Sequence, residues 1–86
     1  MILKVFVACE GINGPDFFFC NVVCSNEEYD EGEHYEIAKN AASLEGFEEP
    51  MVAFDEKDAA GKAMIDKFKW KTAKTFSSDD WSVNLD

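Results

Sequence analysis

Two apolar segments near the N-terminus, residues 2–9 (ILKVFVAC) and 17–24 (FFFCNVVC), constrain the fold more than any other feature of the chain. Both are rich in β-branched and aromatic residues, which favour strands. The residues between them, from Glu10 to Pro15, are dense in turn formers, so the pair predicts an antiparallel hairpin with a longer loop. Because neighbouring positions are apolar in both segments, we expect at least one of these strands to be central and covered.

Helix signals follow the hairpin. Ser25 and Glu28 have the S-x-x-E spacing of a capping box. Gly32 would cost about 1 kcal/mol inside a helix, which predicts a capped turn before it and a main helix over residues 31–45. Gly46 is placed to end that helix. The predicted buried stripe of the helix consists of Ile37, Ala38, Ala41, Ala42 and Leu44.

The last part of the chain predicts a strand, a second helix and further strands. Pro50 precedes a short apolar run at residues 51–54, and Asp55 is expected to cap a helix over residues 56–67. A two-residue alternation then predicts half-buried strands at residues 67–72 and 81–85. The predicted apolar face of the second helix consists of Gly61, Met64, Ile65 and Phe68.

These elements occur in the order β-β-α-β-α-β(β). That order predicts an α+β fold, a two-layer sandwich in which two helices pack on a mostly antiparallel sheet. With 86 residues, of which 47% are hydrophobic, the chain is expected to form a single domain over residues 1–86 with one core. The high apolar content also argues against an acidic disordered chain.

The charge balance limits the classes of partner. Eighteen acidic residues face eight basic ones, all of them lysine, which gives a net charge of −10. Phosphates would be repelled by such a chain, and it lacks the arginine that usually recognises them, so direct binding to nucleic acid is not expected. A basic protein would instead be attracted.

The negative charge is concentrated in one run, EEYDEGEHYE, which holds six carboxylates within residues 27–36 and neither lysine nor arginine. Such a run is often only a solvated face. It is also consistent with a binding surface, because carboxylates three or four residues apart on a helix lie about 5–6 Å apart at Cβ, comparable to successive phosphates of a nucleic acid strand. The predicted partner-binding residues are Glu27, Glu28, Tyr29, Asp30, Glu31, Glu33, Tyr35 and Glu36.

Signals for catalysis, metals and cofactors are weak. The one histidine, His34, is expected to border the core, and Cys9, Cys20 and Cys24 are expected to be small buried hydrophobes. Two ligands of one zinc ion lie within about 4 Å of each other, whereas Cys20 and Cys24 on one extended strand would be about 13 Å apart. No nucleotide-binding motif occurs. We therefore predict no catalytic residues, no metal site and no cofactor; an enzyme with Cys24 or Cys9 as its nucleophile is the third and weakest alternative.

The sequence also bears on the compartment. No apolar run approaches the roughly 18–20 residues of a membrane span, and the N-terminus does not have the pattern of a signal peptide. Three cysteines are an odd number, which is more typical of reduced thiols than of a disulfide framework. A cytoplasmic protein is the expectation, and the cytoplasm would be the host's if the chain is encoded by a phage.

The leading functional hypothesis is a small acidic inhibitor or adaptor that occupies a basic cleft on a nucleic-acid-binding protein of a host or on a toxin. Small size, strong acidity and the lack of catalytic motifs are typical of nucleic-acid mimics with anti-defence roles and of immunity proteins. The alternative is a non-catalytic structural or accessory subunit whose acidity serves solubility. A homodimer, in which the lysine-rich segment at residues 67–74 meets the acidic helix of a second copy, also fits the charges.

Overall fold

The computed structural model describes residues 1–67 and 74–78, which form a four-stranded sheet and three helices. The sheet order is β3-β1-β2-β4; β1 is antiparallel to both β2 and β3, and β2 is parallel to β4. The predicted α+β class and two-layer sandwich are confirmed, and the two apolar N-terminal segments are the two central strands. The elements are β1 (Ile2–Gly11), β2 (Gly14–Val23), α1 (Asn26–Asp30), α2 (Glu33–Leu44), β3 (Pro50–Asp55), α3 (Ala59–Lys67) and β4 (Thr75–Ser77).

The hairpin of β1 and β2 is tighter than the sequence predicted. Its pairing runs from Ile2 opposite Val23 to Gly11 opposite Gly14, which leaves a loop of only two residues. Gly14 has a φ of 122°, which favours glycine. A Cβ atom on Gly11 would lie 2.7 Å from the carbonyl oxygen of Gly14. The two glycines therefore allow strand pairing to continue through residues predicted to be loop.

The main core lies between α2 and one face of the sheet. Small alanines on α2 let the helix approach the strands closely, and β1 and β2 contribute alternate side chains. Leu44, predicted to be buried, is 66% exposed. At 100° per residue it lies within 20° of the buried Ile37, so its exposure comes from its position as the last residue of the helix rather than from the face on which it lies. The core consists of Leu3, Val5, Val7, Cys9, Phe18, Cys20, Val22, Cys24, Ile37, Ala38, Ala41 and Ala42.

The opposite face of the sheet carries aromatic side chains around Phe6. The Phe6 ring is buried, with centroids 5.1 Å from that of Phe54 on β3 and 5.9 Å from that of Phe19 on β2. The helix α3 contacts β1 and β3, and a Cβ atom on Gly61 would lie 3.2 Å from that of Phe54 and 2.0 Å from the carbonyl oxygen of Asp55. Glycine is therefore required for α3 to lie this close to β3.

The second half of the chain differs from its predicted boundaries. The carboxylate of Asp58, rather than that of Asp55, accepts from the first turn of α3, through the N–H of Ala60. The short strand β4 was not predicted, because its three residues are too few to show an alternating pattern. Lys67 ends α3, while residues 68–72 and 81–85, predicted as strands, lie outside the described ranges.

Candidate functional site

The acidic run folds into two short helices with a fixed junction. Ser25 caps α1 by accepting the N–H of Glu28 at 3.1 Å, and the Glu28 carboxylate accepts the N–H of Ser25 at 2.8 Å. The predicted capping box is therefore present. Gly32 separates α1 from α2 with a left-handed φ of 76°, so the predicted split at this glycine is also confirmed.

We define the acidic cluster by its six carboxylates. Five of the six are exposed, and only Glu28 is half-buried, because it serves the capping box. The hydrogen bond from the Ser25 backbone lowers the pKa of Glu28, with further help from Ser78. Glu36 Oε1 lies 3.9 Å from Lys39 Nζ, one helical turn further along α2. The cluster consists of Glu27, Glu28, Asp30, Glu31, Glu33 and Glu36.

Helix dipoles explain part of the clustering. Glu27 and Glu28 lie in the first turn of α1, and Glu33 and Glu36 lie in the first turn of α2. Carboxylates at these positions are stabilised by the positive end of the helix. Asp30 and Glu31 at the end of α1 directly precede the N-terminus of α2. The fold therefore tolerates the carboxylates but, except for Glu28, uses none of their side chains in a cap.

One cation reaches the cluster from a distant part of the sequence. The ammonium group of Lys57 lies 4.8 Å from the ring centroid of Tyr29, in the geometry of a cation–π contact. Within residues 1–67 and 74–78, Glu27, Asp30, Glu31 and Glu33 make no ion pair. The described residues thus offset the negative charge of the cluster only in part.

The two tyrosines of the predicted site have internal contacts. The Tyr29 ring stacks on His34 with centroids 5.0 Å apart, and the Tyr35 ring lies 4.0 Å from that of His34. The Tyr35 hydroxyl donates to the carboxylate of Asp55 at 3.2 Å. Both tyrosines are half-buried, so each has one side packed in the protein and another at the surface beside the acidic cluster.

Beneath the cluster lies a buried hydrogen-bonded pair, His34 and Asp55, that the sequence did not reveal. His34 Nε2 lies 3.0 Å from Asp55 Oδ2, and the two residues are 2% and 3% exposed. The backbone N–H groups of Lys57 and Asp58 donate to Asp55 Oδ1 at 2.8 and 2.9 Å. With the Tyr35 hydroxyl, four donors converge on one carboxylate, which ties the start of α2 to the end of β3.

The pKa values around this pair follow from burial and hydrogen bonding. Burial alone would raise the pKa of Asp55, but hydrogen bonds from His34, the two backbone N–H groups and Tyr35 outweigh it and lower the pKa. Burial, reinforced by the Asp55 carboxylate, raises the pKa of Tyr35 to about 12. An ionised Asp55 can only accept, so His34 Nε2 carries a proton, and its buried Nδ1 has no partner among the described residues.

The helical spacing of His34 was the signal that could have located this pair. At 100° per residue, His34 lies close to the centre of the stripe formed by Ile37, Ala38 and Ala41, rather than at its border. A histidine in that position needs a polar partner. Asp55 follows an apolar run, but because it precedes a predicted helix it was expected to cap that helix. In the structure, its buried carboxylate instead accepts a hydrogen bond from His34.

The cysteines show no sign of an activated thiol. All three are buried and free. Burial raises the pKa of Cys20 to about 12 and also raises the pKa values of Cys9 and Cys24. A raised pKa disfavours the thiolate, which is the nucleophilic form. The expectation that these residues are small buried hydrophobes is confirmed.

A second group of carboxylates lies at the other end of α2. Glu45, Glu48 and Glu49 follow the helix, so about 13 Å of helix, at 1.5 Å per residue, separates Glu45 from Glu36, the last member of the acidic cluster. They do not extend that cluster. Glu49 has a φ of 44°, and its carbonyl accepts the N–H of Glu10 at 3.1 Å, which places it beside β1.

Metal and membrane signals are absent from the part of the chain that the structure describes. There, no three His, Cys, Asp or Glu side chains are placed to hold a metal ion. None of the helices in the same ranges is both long and apolar enough to cross a membrane. No protein-family model matches the chain, and no curated protein or solved structure is similar to it.

Proposed function

We propose that the protein is a non-catalytic inhibitor or adaptor that uses the acidic cluster to occupy a basic, nucleic-acid-binding cleft on another protein. The proposal rests on one contrast: the carboxylate side chains are exposed and, among the described residues, unpaired, whereas the backbone that carries them is held in place. Four carboxylates, Glu27, Asp30, Glu31 and Glu33, are exposed and without ion pairs in the described ranges. Their backbone, however, is fixed by the capping box and by the buried network below it.

A fixed array of carboxylates suits such a cleft better than a flexible acidic tail would. Ordering a flexible tail on binding costs free energy that a preorganised surface does not lose. Opposite charge also speeds association at low salt and discriminates against acidic partners. Tyr29 and Tyr35 add half-buried aromatic surface beside the charges, which is a common feature of binding hot spots.

The partner class follows from this chemistry. A cleft that binds nucleic acid presents lysine and arginine at phosphate spacing, and exposed carboxylates on a helical segment could occupy those positions. Phage proteins that block host defence enzymes and immunity proteins that cap basic toxins both need such a surface. The role proposed for this chain is of that kind.

Charge reversal tests the proposal. The fourfold variant Glu27→Lys, Asp30→Lys, Glu31→Lys and Glu33→Lys spares Glu28, whose carboxylate is needed for the capping box. A matched control, Glu10→Lys, Asp16→Lys, Glu48→Lys and Glu49→Lys, changes the net charge equally at the hairpin end. Each protein serves as bait in lysate of the source organism at about 50 mM and about 500 mM NaCl, below and above physiological ionic strength.

The expected result is a basic protein that the parent and the control retain at low salt and that the fourfold variant loses. The purified parent should then displace nucleic acid from that protein. Circular dichroism of both variants verifies that the fold is intact. If every captured protein binds the parent and the fourfold variant equally, the acidic cluster is not the binding surface.

A specific observation also favours the alternative, a structural or accessory subunit. Ile2 and Val23 are cross-strand partners and are both exposed, on the face of the sheet away from α2. An exposed apolar pair of this kind is consistent with assembly. Light scattering distinguishes the two proposals, because an oligomer that persists at high salt and dissociates on Ile2→Lys would favour the accessory subunit.

A further inference from the structure

A groove of about 490 Å³ lies beside the hairpin loop, away from the acidic cluster. We call it the tip groove. It lies where the last residues of β1 meet the first residues of β2 and β3. Its apolar lining consists of Ala8, Cys9, Pro15, Met51 and Val52, with Glu10 at its polar side.

Strand geometry explains why this surface is apolar and open. Ala8 pairs with Val52, and both alternate with residues whose side chains enter the core, so they face away from α2. The register between β1 and β3 shifts between Ala8 and Cys9, and such bulges redirect neighbouring side chains. Met51 and Val52 are adjacent in the strand, yet they are 62% and 41% exposed. A strand with one buried face would expose only one of them.

Among the described residues, the charged side chains at the hairpin tip are of one sign. A smaller groove of about 240 Å³ on the α2 face of the hairpin shares Gly11 with the tip groove and is lined by Asp16, Glu45 and Glu48. Together with Glu10, four carboxylates line the two grooves, and no lysine or arginine of residues 1–67 and 74–78 does. Lys74 pairs with Glu45, while Glu10, Asp16 and Glu48 have no ion pair in residues 1–67 and 74–78.

Apart from the pairing of Glu45 with Lys74, the fold does not account for this second group of acids. Glu45 and Glu48 lie at the C-terminal end of α2, where the helix dipole disfavours negative charge. The last turn of α2 contains no basic residue. The acidic cluster at the other end of α2 is favoured by the dipole, so the carboxylates at the tip are the less well explained of the two sets.

We propose that the tip groove binds a basic peptide segment of another protein, with one large apolar side chain in the groove and lysine or arginine on either side of it. The groove volume suits such a side chain, Glu10 lies beside it, and Asp16 and Glu48 on the other face of the hairpin tip add to the negative charge that the flanking lysines or arginines would meet. Tip-to-tip contact between two copies of this chain is disfavoured, because two acidic tips would repel each other. Anionic lipid surfaces and nucleic acids are disfavoured for the same reason.

Peptide binding at the tip groove is independent of the proposed function, because it requires neither the acidic cluster nor a partner that binds nucleic acid. A synthetic peptide can test it without knowledge of the natural partner. The probe is a fluorescein-labelled peptide with one leucine flanked by two lysines on each side, and binding is followed by fluorescence anisotropy. Matched probes carry serine in place of the leucine or glutamate in place of the lysines.

The variant Met51→Lys places a cation in the tip groove, and Ala63→Lys is its matched control. Both replace an exposed apolar residue and change the net charge equally, but Ala63 lies on α3 and does not line the groove. Met51→Lys should weaken binding of the leucine probe about tenfold, because it removes apolar contact and opposes the lysines. Ala63→Lys should change the affinity less than about twofold, through long-range charge alone.

Each other outcome is decisive. Equal binding of the leucine and serine probes would show a purely ionic contact and overturn the inference, as would no binding of the leucine probe to the parent. Amide chemical shifts should change at Gly11, Gly14 and Met51. Changes confined to the segment around Gly32 would instead place the peptide at the acidic cluster. That result would overturn the tip groove and leave the proposed function standing.

Discussion

Asp55 and the acidic cluster lie at the same end of the molecule and consist of the same chemical group, but they have opposite relations to the fold. Asp55 is buried and accepts four hydrogen bonds from two side chains and two backbone groups. Among the exposed carboxylates of the cluster, Glu27, Asp30, Glu31 and Glu33 have no ion pair in the described ranges. This end of the protein therefore combines a carboxylate that holds the structure together with exposed carboxylates that the described residues leave unpaired.

The largest expected effect comes from removing the interior carboxylate. Asp55→Ala would leave His34, the Tyr35 hydroxyl and two backbone N–H groups without their acceptor. Each buried donor left without a partner costs about 1–3 kcal/mol, so the variant should lose about 3–5 kcal/mol of unfolding free energy. Asp30→Ala, in the exposed cluster, should change that free energy by no more than about 0.5 kcal/mol. Urea unfolding followed by circular dichroism measures both.

Asp55→Asn keeps the shape of the side chain, so it provides a second measurement if Asp55→Ala is too unstable to fold. It should lose less stability than Asp55→Ala. Because the folded-state pKa of Asp55 is lowered from 3.8, its ionised form stabilises the parent above that pH, and this contribution is lost as the pH falls through the lower folded value. Acid unfolding of the parent should therefore be steeper than that of Asp55→Asn. Equal stability of Asp55→Ala and Asp30→Ala would remove the distinction between the two sets of carboxylates.

A smaller effect is expected from Tyr35→Phe, which removes one of the four donors to Asp55. A hydrogen bond to a charged group contributes about 1.5–3 kcal/mol, and the half-buried position of Tyr35 places the expected loss at the lower end. The folded-state pKa of Tyr35 is raised from 10.0 to about 12. Its neutral form therefore stabilises the fold below pH 10, and that contribution is lost as the pH rises through the folded value.

Unfolding at a series of alkaline pH values tests this linkage. The parent should lose more stability than Tyr35→Phe between pH 10 and about 12. Absorbance of the tyrosinate provides a second measurement. The ionisation step at the higher pH should be the one that disappears in Tyr35→Phe, because the pKa of Tyr35 is raised. If the two proteins lose stability in parallel over this range, Tyr35 is not coupled to Asp55 as the geometry indicates.

The smallest effect is expected in the acidic cluster itself. The neutral variant Glu27→Gln, Asp30→Asn, Glu31→Gln and Glu33→Gln relieves repulsion between like charges but loses favourable dipole interactions. These terms are each a few tenths of a kcal/mol, so the net change in unfolding free energy should stay within about 1 kcal/mol. It should shrink further as salt is added. A loss comparable to that of Asp55→Ala would mean that the cluster serves the fold and would weaken its proposed role in binding.

The sequence predicted the parts of this molecule that depend on local pattern. The paired apolar segments, the capping box at Ser25 and the break at Gly32 all follow from spacing and residue type over a few positions. The pairing of His34 with Asp55 could not be read in this way, because it depends on which strand lies next to α2. The parallel pairing of β4 with β2 was missed for a similar reason, since its stability comes from a strand more than fifty residues away.

The sequence predicted the charged residues of the candidate site but not the contacts that hold the site in place. All eight predicted residues lie on α1, α2 and their junction, as their proximity in the sequence requires. The sequence showed neither the approach of Lys57 to Tyr29 nor the internal hydrogen bond of Tyr35. The tip groove was also hidden, because Ala8, Pro15 and Val52 come from three separate strands.

The central position of β1 has a consequence for how the chain folds. Its pairing with β2 is local and closes a loop of two residues, so this hairpin is expected to form early, on the microsecond timescale of isolated hairpins. Pairing with β3 must close a much longer loop that contains both α1 and α2. His34 therefore meets Asp55 only when β3 joins the sheet. Substitutions at Asp55 should mainly accelerate unfolding, and those at Val5 or Val22 should mainly slow folding.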